Sequence, residues 1–431
     1  MKKISILIYL IVSTFLGFAQ NPTVGKSSGE TIIYTGAHIF VGNGVEYNNG
    51  SLVIEKGKIL AIGDGDLSSK YPNAKKVSFA GKQIYPGIIS PANSLGLTEI
   101  QAVRTTSDFN EIGEINSNVR ALIAYNTDSE VIPTVRSNGI LLTQATPEGG
   151  LIPGRSSVMY LDGWNWEDAV LKADDGVWLN WPSKVTNSFN RTTFERESKK
   201  NENYNKTVDE LHTFFNQALA LSQDDKKYDN LKLTALNGVL NGVDRLYIQA
   251  GSDKEIIDAI AFCKEHAIKF PVIVGEVSSD LAISALKENN VPIIIPSTHR
   301  LPSRGDSEVW EAYKLPAKLF AKGLLVGMQY NDSYWRTRNL PFVAGNAVGH
   351  GLTKAQALSM ITLNNAKILG IDNFVGSLEV GKQASYIVSE GDILDMRTSK
   401  VTNAFIRGAE VNLDDKQKRL AEKYNDKYGI K

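Results

Sequence analysis

The feature that most constrains the fold is a regular alternation of two hydrophobic patterns across the middle of the chain, residues 84–370. Short runs of β-branched and aliphatic residues each end in a polar loop, as in NGILLTQATPEGG, VDRLYIQAGS, FPVIVGEVSSD, NVPIIIPSTHR and GLLVGMQYNDS. Amphipathic stretches with helical spacing separate several of them, for example residues 253–266 and 280–289. This rhythm, sustained over about 290 residues, predicts an α/β fold of the TIM-type (β/α)8 barrel class, with ligand-contacting groups past the carboxyl ends of the strands.

The two ends of the chain have a different residue pattern, typical of β-strands joined by turns. Residues 31–83 and 371–412 contain short Val-, Ile- and Tyr-rich runs, and Gly-Asn, Asn-Gly and Asp-Gly pairs separate those near the amino terminus. Such pairs are typical of antiparallel hairpins. We therefore predict a small composite β-sandwich domain built from both termini, with the barrel at residues 84–370 between its two parts.

The first 19 residues have the composition of a signal peptide. A basic start, Met1 to Lys3, precedes an apolar run over residues 4–18, and Ala19 supplies a small residue for cleavage. We predict a secretory signal at residues 1–19, an exported periplasmic or secreted protein, and no stable membrane anchor after cleavage. An uncleaved anchor is the alternative, although a run of about 15 residues is short for a membrane span of about 20.

Composition narrows the choice of partner. The chain has 47 basic and 47 acidic residues, so its formal charge gives no electrostatic basis for binding a nucleic acid, and we expect a small-molecule ligand instead. The single cysteine, Cys263, cannot form an internal disulfide and lies in an apolar helical pattern, which predicts a buried thiol. The tail, residues 413–431, reads as a charged, exposed helix packed through Leu420 and Tyr424.

Three segments resemble the amidohydrolase superfamily. GKQIYPGIIS, residues 81–90, is similar to the opening barrel strand of that family, whose usual form is G-K-x-V-x-P-G-L-I-D-x-H-x-H. RNLPFVAGNAVGHGLTKAQALSMITLNNAKILGI and VGSLEVGKQASYIVSEGDILD resemble the helical segment that closes the barrel and the stretch that leads back to the β domain. Together with the loop SPANSLGLTEI they resemble an exported bacterial subgroup of imidazolonepropionase-like proteins. The resemblance implies the barrel, the composite domain and hydrolysis of carbon–nitrogen bonds by a metal-activated water.

The metal ligands of that family are replaced here. The two histidines of the His-x-His motif fall on Ala92 and Ser94, and Ser90 replaces the preceding Asp. The positions after the fifth and sixth strands fall on Gln249 and Glu276. The final Asp falls on Asn331 or Asp332, and the two remain alternatives. A divalent metal is expected for the family but is not supported by these residues, among which only Glu276 and Asp332 are weak candidate ligands.

The five histidines do not supply a replacement site in the sequence. His38 falls in the terminal β segments, and His212, His266 and His350 fall in helical patterns typical of surface or packing positions. His299 differs, because it follows a predicted barrel strand beside an arginine. We take His299 and Asp332 as the candidate catalytic residues.

Polar side chains follow several predicted strands and form the candidate ligand-binding set, namely Asn93, Ser94, Glu99, Gln249, Glu276 and Asn331. Acidic residues cluster after the first two strands, at Glu99, Asp108, Glu111, Glu114 and Glu148. One hypothesis is an all-carboxylate site for Mg²⁺ or Ca²⁺. The other, which we favour, is a polar barrel mouth in which these acids pair with Arg104, Arg120, Arg136 and Arg155.

Two functions remain open at this point. The first is an exported hydrolase that acts on non-peptide carbon–nitrogen bonds with a degenerate or rebuilt metal site. The second is an inactive barrel that binds a small ligand, forms a homo-oligomer, or pairs with an active amidohydrolase subunit. The loop after the first strand separates the two hypotheses, because Ala92 has no atom that can bind a metal.

Overall fold

The computed structural model describes residues 23–191, 194–223, 230–302, 307–331 and 333–430. The predicted signal peptide lies outside these ranges. Within them, no helix combines the length and the apolar character that crossing a membrane requires.

The strands of the described residues fall into a terminal sheet, a barrel sheet and one hairpin. In chain order they are β1 (Ile32–Phe40), β2 (Glu46–Glu55), β3 (Lys58–Asp64), β4 (Lys75–Ser78), β5 (Gln83–Pro86), β6 (Ile88–Asn93), β7 (Ile140–Ala145), β8 (Gly154–Tyr160), β9 (Val170–Asn180), β10 (Val185–Asn190), β11 (Glu195–Lys200), β12 (Arg245–Ala250), β13 (Pro271–Gly275), β14 (Ile293–Ile295), β15 (Val326–Met328), β16 (Tyr386–Ser389), β17 (Val401–Ile406) and β18 (Ala409–Glu410).

The helices lie mostly between the later barrel strands and after the last one. They are α1 (Ala121–Ala124), α2 (Ile132–Arg136), α3 (Trp166–Ala169), α4 (Tyr204–Ser222), α5 (Leu231–Thr234), α6 (Asn237–Leu240), α7 (Asp253–Glu265), α8 (Asp280–Glu288), α9 (Glu311–Ala321), α10 (Leu340–Val348), α11 (Lys354–Ile361), α12 (Leu363–Leu369) and α13 (Lys416–Tyr428).

The terminal sheet joins the two ends of the chain. Its hydrogen-bonded order is β18-β17-β16-β5-β1-β2-β3, with β4 paired to β1, so the two ends meet where β5 and β16 run antiparallel. An aromatic cluster from both ends fills its core, in which Tyr34 stacks on Phe79 at 4.9 Å and Tyr386 stacks on Phe405 at 4.5 Å between ring centroids. The separate sheet domain predicted from the sequence is confirmed, and hydrogen bonds connect its strands into one sheet.

The barrel sheet has the order β15-β14-β13-β12-β9-β8-β7-β6 and confirms the predicted TIM-type barrel class. One part of the expectation was wrong, because β8 runs antiparallel to both β7 and β9. The reason is the length of the connection, since only residues 146–153 link β7 to β8 and a parallel crossover needs a dozen residues or more. Connections that contain helices link β6 to its parallel neighbour β7 and resume after β9.

A single amide links the two edge strands of the barrel sheet. Asn365 on α12 is fully buried, and its Nδ2 donates to the carbonyl oxygen of Ile89 on β6 at 2.9 Å and to that of Met328 on β15 at 3.1 Å. The segment that the sequence matched to the closing helical part of the family therefore bridges the gap between the first and last strands.

Several local predictions can be compared directly with the structure. The amphipathic stretches over residues 253–266 and 280–289 are confirmed as α7 and α8, and Cys263 is buried on α7. The charged tail is helical as α13, but Leu420 and Tyr424 are exposed rather than packed. The helix is anchored before its first turn instead, where Asp415 accepts a hydrogen bond from Ser137 Oγ at 2.9 Å.

Candidate functional site

The carboxyl ends of the barrel strands surround a cavity of about 700 Å³, here called the barrel-mouth cavity. Residues from seven strand ends or the loops that follow them contribute to its lining, among them Ala92, Glu148, Asn180, Gln249, Glu276 and Asn331. A smaller pocket of about 140 Å³ adjoins it and shares Ala92, Glu148 and Asn331, with Asn93 and Ser94 added. Five of the six predicted ligand-binding residues therefore lie around one opening, the exception being Glu99.

Ala92 lies at the centre of this arrangement in an unusual backbone conformation. Its φ is +53°, in the left-handed region that residues with a side chain rarely adopt. Its N–H donates to Gln144 Oε1 at 3.1 Å. Such a conformation costs of order 1 kcal/mol or more and persists where the surrounding structure holds it. The amide of Gln144 provides that restraint.

Gln144 is part of a buried polar cluster, the floor network, which also contains Ser156, Asp175 and Tyr247. Gln144 Nε2 donates to Asp175 Oδ2 at 2.9 Å, Ser156 Oγ donates to Oδ1 at 2.7 Å and Tyr247 Oη donates to Oδ2 at 2.6 Å. All four residues have 0% exposure. Burial raises the pKa of the Asp175 carboxyl, and the hydrogen bonds from Tyr247 and Ser156 oppose that rise. The network connects four barrel strands, β7, β8, β9 and β12, to the backbone of Ala92.

The floor network was missed from the sequence. Gln144 lay inside a run assigned as an apolar strand, and Asp175 is in ADDGVWLN, a stretch that was not assigned as a strand. The available signal was a polar residue within an otherwise buried run, because buried polar side chains need partners. The sequence did not identify Asp175 as the hydrogen-bond partner of Gln144, because that choice depends on the order of strands in the sheet.

Glu276, at the predicted sixth-strand position, and Arg300, in the loop after β14, neutralise each other. Glu276 Oε1 lies 2.6 Å from Arg300 Nη2, and both side chains are mostly buried. Glu255, another carboxylate of the cavity lining, is 3% exposed and accepts from the backbone N–H of Gly251 at 2.9 Å and of Lys184 at 2.8 Å. Both carboxylates are therefore occupied by protein groups.

Glu148 is the acid from the predicted cluster that does reach the cavity. Partial burial of its carboxyl raises the pKa, and a hydrogen bond with the Ser94 side chain lowers it by a smaller amount. An acid whose pKa moves toward neutrality beside a hydroxyl group is suited to exchange a proton with a bound ligand.

Asn93 has a structural role within the smaller pocket. Its Nδ2 donates to Thr337 Oγ1, and its Oδ1 accepts from the backbone N–H of Leu95 at 2.7 Å. Asn93 is 4% exposed and Thr337 is 0% exposed, so the pair ties the end of β6 to the segment after β15. The amide is thereby largely committed to holding the loop.

Two of the predicted site residues lie elsewhere. His299 Nδ1 is 2.7 Å from Tyr313 Oη on α9, and the described lining of the two pockets does not include this histidine. Glu99 also lies outside those linings, since its carboxylate accepts from Asn126 Nδ2 at 3.3 Å and from the backbone N–H of Glu130 at 3.2 Å. Asp332 lies outside the described residues.

The predicted pairing of arginines with the loop acids was wrong for three of the four arginines. Arg120 and Arg155 bind Asp174, at 2.8 Å and 3.6 Å, and Arg136 binds Asp162 at 2.6 Å. The acids after the first two strands also fail to converge, since in the described parts of the chain they form no group of three with ligand atoms close together. Apart from Glu148, those acids lie in the loop after β6, where Asp108, Glu111 and Glu114 are exposed.

The described residues at the family's ligand positions do not fit a catalytic divalent metal. Ala92 has no ligand atom, Ser94 and Gln249 offer only neutral oxygens, and Glu276 is paired with Arg300. A catalytic zinc site needs about three nitrogen, sulfur or carboxylate ligands with an open position. The donor set is therefore that of a polar binding cavity.

Comparisons with known proteins place this site in a family. The sequence model of the Amidohydrolase family matches residues 248–413. The chain is 24% identical over 372 residues to an imidazolonepropionase of Fusobacterium nucleatum subsp. nucleatum, a match that covers 79% of this chain and 85% of that protein. A 56-residue stretch is 48% identical to an imidazolonepropionase of Syntrophobacter fumaroxidans and covers 13% of each chain.

The fold agrees with that assignment. The crystal structure of an amidohydrolase from Thermotoga maritima MSB8 superposes with a TM-score of 0.74 at 21% identity, covering 88% of this chain and 99% of that one. The chain is similar to the amidohydrolase superfamily in sequence and in fold. The resemblance predicted from the sequence is thus confirmed, and both of these curated relatives are imidazolonepropionases. The barrel and the separate sheet domain agree with that resemblance.

Proposed function

We propose that this chain is an exported amidohydrolase whose barrel-mouth cavity takes a small, uncharged, polar molecule with non-peptide carbon–nitrogen bonds, and that it works without the superfamily's metal ion. The observation that carries the proposal is the charge state of the cavity lining. Glu276 is neutralised by Arg300, and Glu255 is held by backbone N–H groups. An uncharged ligand is therefore a better match for the cavity than an ion.

The remaining lining favours a planar amide-like ligand. Gln249 and Asn331 offer amide groups, and Trp178 and Trp181 offer indole rings. Trp178 is 2% exposed, and its Nε1 is buried without a hydrogen-bond partner among the described residues. Since buried donors are almost always satisfied, a ligand carbonyl is a suitable partner for this N–H. Apolar walls with a few polar groups are typical of small-molecule sites.

Calorimetric titration tests this proposal, with lactams, cyclic ureas and cyclic imides as probes and product analysis by chromatography. We expect at least one neutral probe to bind wild-type protein and to bind about tenfold more weakly to Gln249→Ala. Glu111→Gln, a change on the exposed loop, is the matched control and should leave the affinity unchanged. Binding restricted to charged probes would contradict the proposal.

Metal analysis of protein purified without chelators tests the second half of the proposal. We expect no divalent ion whose content depends on Glu276. A stoichiometric metal that is lost in Glu276→Gln would overturn the proposal and restore metal-dependent hydrolysis at a rebuilt site.

A second candidate function is hydrolysis that uses Glu148 as the proton-transfer group. It is favoured by the raised pKa of this carboxyl in the cavity and by its hydrogen bond with Ser94. If this function holds, slow turnover of a bound cyclic amide should fall at least 100-fold in Glu148→Gln while binding persists. Equal turnover in the variant would eliminate the candidate.

A third proposal concerns a partner, an active amidohydrolase subunit that pairs with this chain. The loop after β6 exposes Ile100, Val103 and Ile112, at 56%, 41% and 83%, close to the cavity opening. An apolar loop at a functional opening is typical of an interaction surface. Size-exclusion chromatography with and without envelope extract should show a larger species that Ile112→Ser weakens, whereas a monomer in both samples would contradict the pairing.

A further inference from the structure

A second group of chemically reactive side chains lies between α4 and α7, away from the barrel-mouth cavity. His212 comes from α4, Glu265 is the last residue of α7 and His266 follows it directly. His212 Nδ1 is 3.0 Å from His266 Nε2 and 3.4 Å from Glu265 Oε1. Among the described residues, this is the one group of three whose ligand atoms all lie within 4.8 Å of one another.

These separations match the coordination shell of a small cation. Zinc lies about 2.0–2.2 Å from histidine nitrogen and carboxylate oxygen in a tetrahedral site, which places neighbouring ligand atoms about 3.4 Å apart. The distance from His212 to Glu265 equals that edge, and the distance between the two histidine nitrogens needs to open by only a few tenths of an ångström. The third separation, between the ligand atoms of Glu265 and His266, is within 4.8 Å.

The surroundings of the group are asymmetric. His266 is 9% exposed, and its ring lies against Phe262 at 4.4 Å and Phe215 at 5.4 Å between centroids. The side chains of His212 and Glu265 are 25% and 66% exposed. Phenyl rings thus close the inner side and fix the imidazoles, while the outer side is open to water for a fourth ligand.

We propose that His212, Glu265 and His266 bind a zinc-class divalent cation that fastens α4 to α7. Two imidazoles and one carboxylate favour zinc or a neighbouring transition metal over magnesium or calcium, which prefer oxygen ligands alone. Without metal, the same atoms form a histidine–histidine hydrogen bond.

The role of the ion is structural, because the site lies far from the cavity. Glu255, which lines the cavity, lies ten residues before Glu265 on α7, and a rise of about 1.5 Å per residue places them roughly 15 Å apart. A bound ion would link the carboxyl-terminal end of α7 to the middle of α4 and would leave the cavity lining unchanged.

Zinc titration of chelator-treated, full-length protein at pH 7.5 tests the inference by competition with a chromophoric chelator. We expect one equivalent to bind, affinity to fall at least 100-fold in His212→Ala and about tenfold in Glu265→Gln, and the melting temperature of the wild type alone to rise clearly with zinc. Both substituted side chains are partly exposed, so the variants should fold. His350→Ala, whose ring stacks on Trp310 at 5.3 Å, is the matched control and should bind as wild type does.

Cobalt substitution supplies a second measurement. Tetrahedral cobalt in the wild-type protein should give a strong visible absorption that disappears in His212→Ala. Absence of zinc binding, or binding that is equal in His212→Ala and wild type, would overturn the inference. Metal retained in Glu276→Gln and lost in His212→Ala supports the proposed zinc site. Metal lost in Glu276→Gln and retained in His212→Ala overturns both the zinc site and the proposal of a metal-free cavity.

Discussion

Replacing Gln144 by leucine would test whether the floor network holds Ala92 in its left-handed conformation. Leucine is close to glutamine in size but makes no hydrogen bonds. The change removes the acceptor for the Ala92 N–H and the donors to Asp175 and Ser156, at 3.1, 2.9 and 3.1 Å. It leaves the Ala92 backbone without its restraint.

The size of the effect follows from the three lost hydrogen bonds. Each contributes about 1 kcal/mol net, and more where a buried partner is left unsatisfied, so the free energy of unfolding should fall by about 3 kcal/mol. An unfolding entropy of about 2.1 cal/mol/K per residue gives about 0.9 kcal/mol/K for a chain of this length. The melting temperature should therefore fall by about 3 °C.

Differential scanning calorimetry at pH 7 measures the change, and Gln249→Leu is the matched control. Gln249 is exposed in the barrel-mouth cavity, so the same substitution there should alter stability by no more than about 0.5 kcal/mol. A Gln144→Leu melting temperature within about 1 °C of wild type, or equal to that of the control, would refute the assigned role of the network. Titration with a bound probe should also show weaker binding in Gln144→Leu, because the cavity floor relaxes.

Three further predictions concern charged groups. Arg136→Met should lower the free energy of unfolding by about 3–5 kcal/mol in urea titrations, because it leaves the Asp162 carboxylate, whose side chain is 6% exposed, buried without its partner. The double variant Arg136→Met/Asp162→Leu should recover most of that loss. A single variant as stable as wild type would contradict the pairing. Burial raises the pKa of the Glu148 carboxyl above 4.5, so protonation of this group favours the folded state. The stability of the wild type relative to Glu148→Gln should therefore be greatest below about pH 4.3 and should decline as the pH rises through the folded pKa. Melting temperatures of the two proteins that run parallel from pH 4 to 8 would show that the carboxyl is not perturbed. Glu276→Gln should leave Arg300 without its partner, so a carboxylate-bearing probe should bind more tightly at low salt by calorimetry, and unchanged affinity would argue against the ion pair.

Part of the fold was predictable because its signals are local. The apolar runs that became β12 to β15, and the amphipathic stretches that became α7 and α8, carry their periodicity within about ten residues. The reversed strand β8 was not predicted, although the short segment over residues 146–153 contained the geometric reason. Where the hydrophobic pattern of a segment has no clear period, its secondary structure and strand direction depend on the strands that pair with it.

For the candidate site, too, the sequence predicted some features and not others. The sequence predicted the set of polar strand-end residues that largely surrounds one cavity, while the assignment of Ala92 and Ser94 to the metal positions stays a prediction. The sequence did not predict that Glu276 would pair with Arg300, that His299 would bind Tyr313 or that Arg136 would pair with Asp162. Each of those choices depends on which side chains happen to be within a few ångströms of one another.

By itself, then, the sequence determined the barrel class, the sheet domain shared by the two ends and the chemical character of the strand-end positions, because periodicity, turn residues and side-chain identity are properties of short segments. Only the tertiary structure decided the direction of β8, the floor network under Ala92 and the meeting of His212 with His266, which lie 54 residues apart in the chain. Those features are contacts between distant segments, and their partners are selected by how helices and strands pack together rather than by local sequence preference.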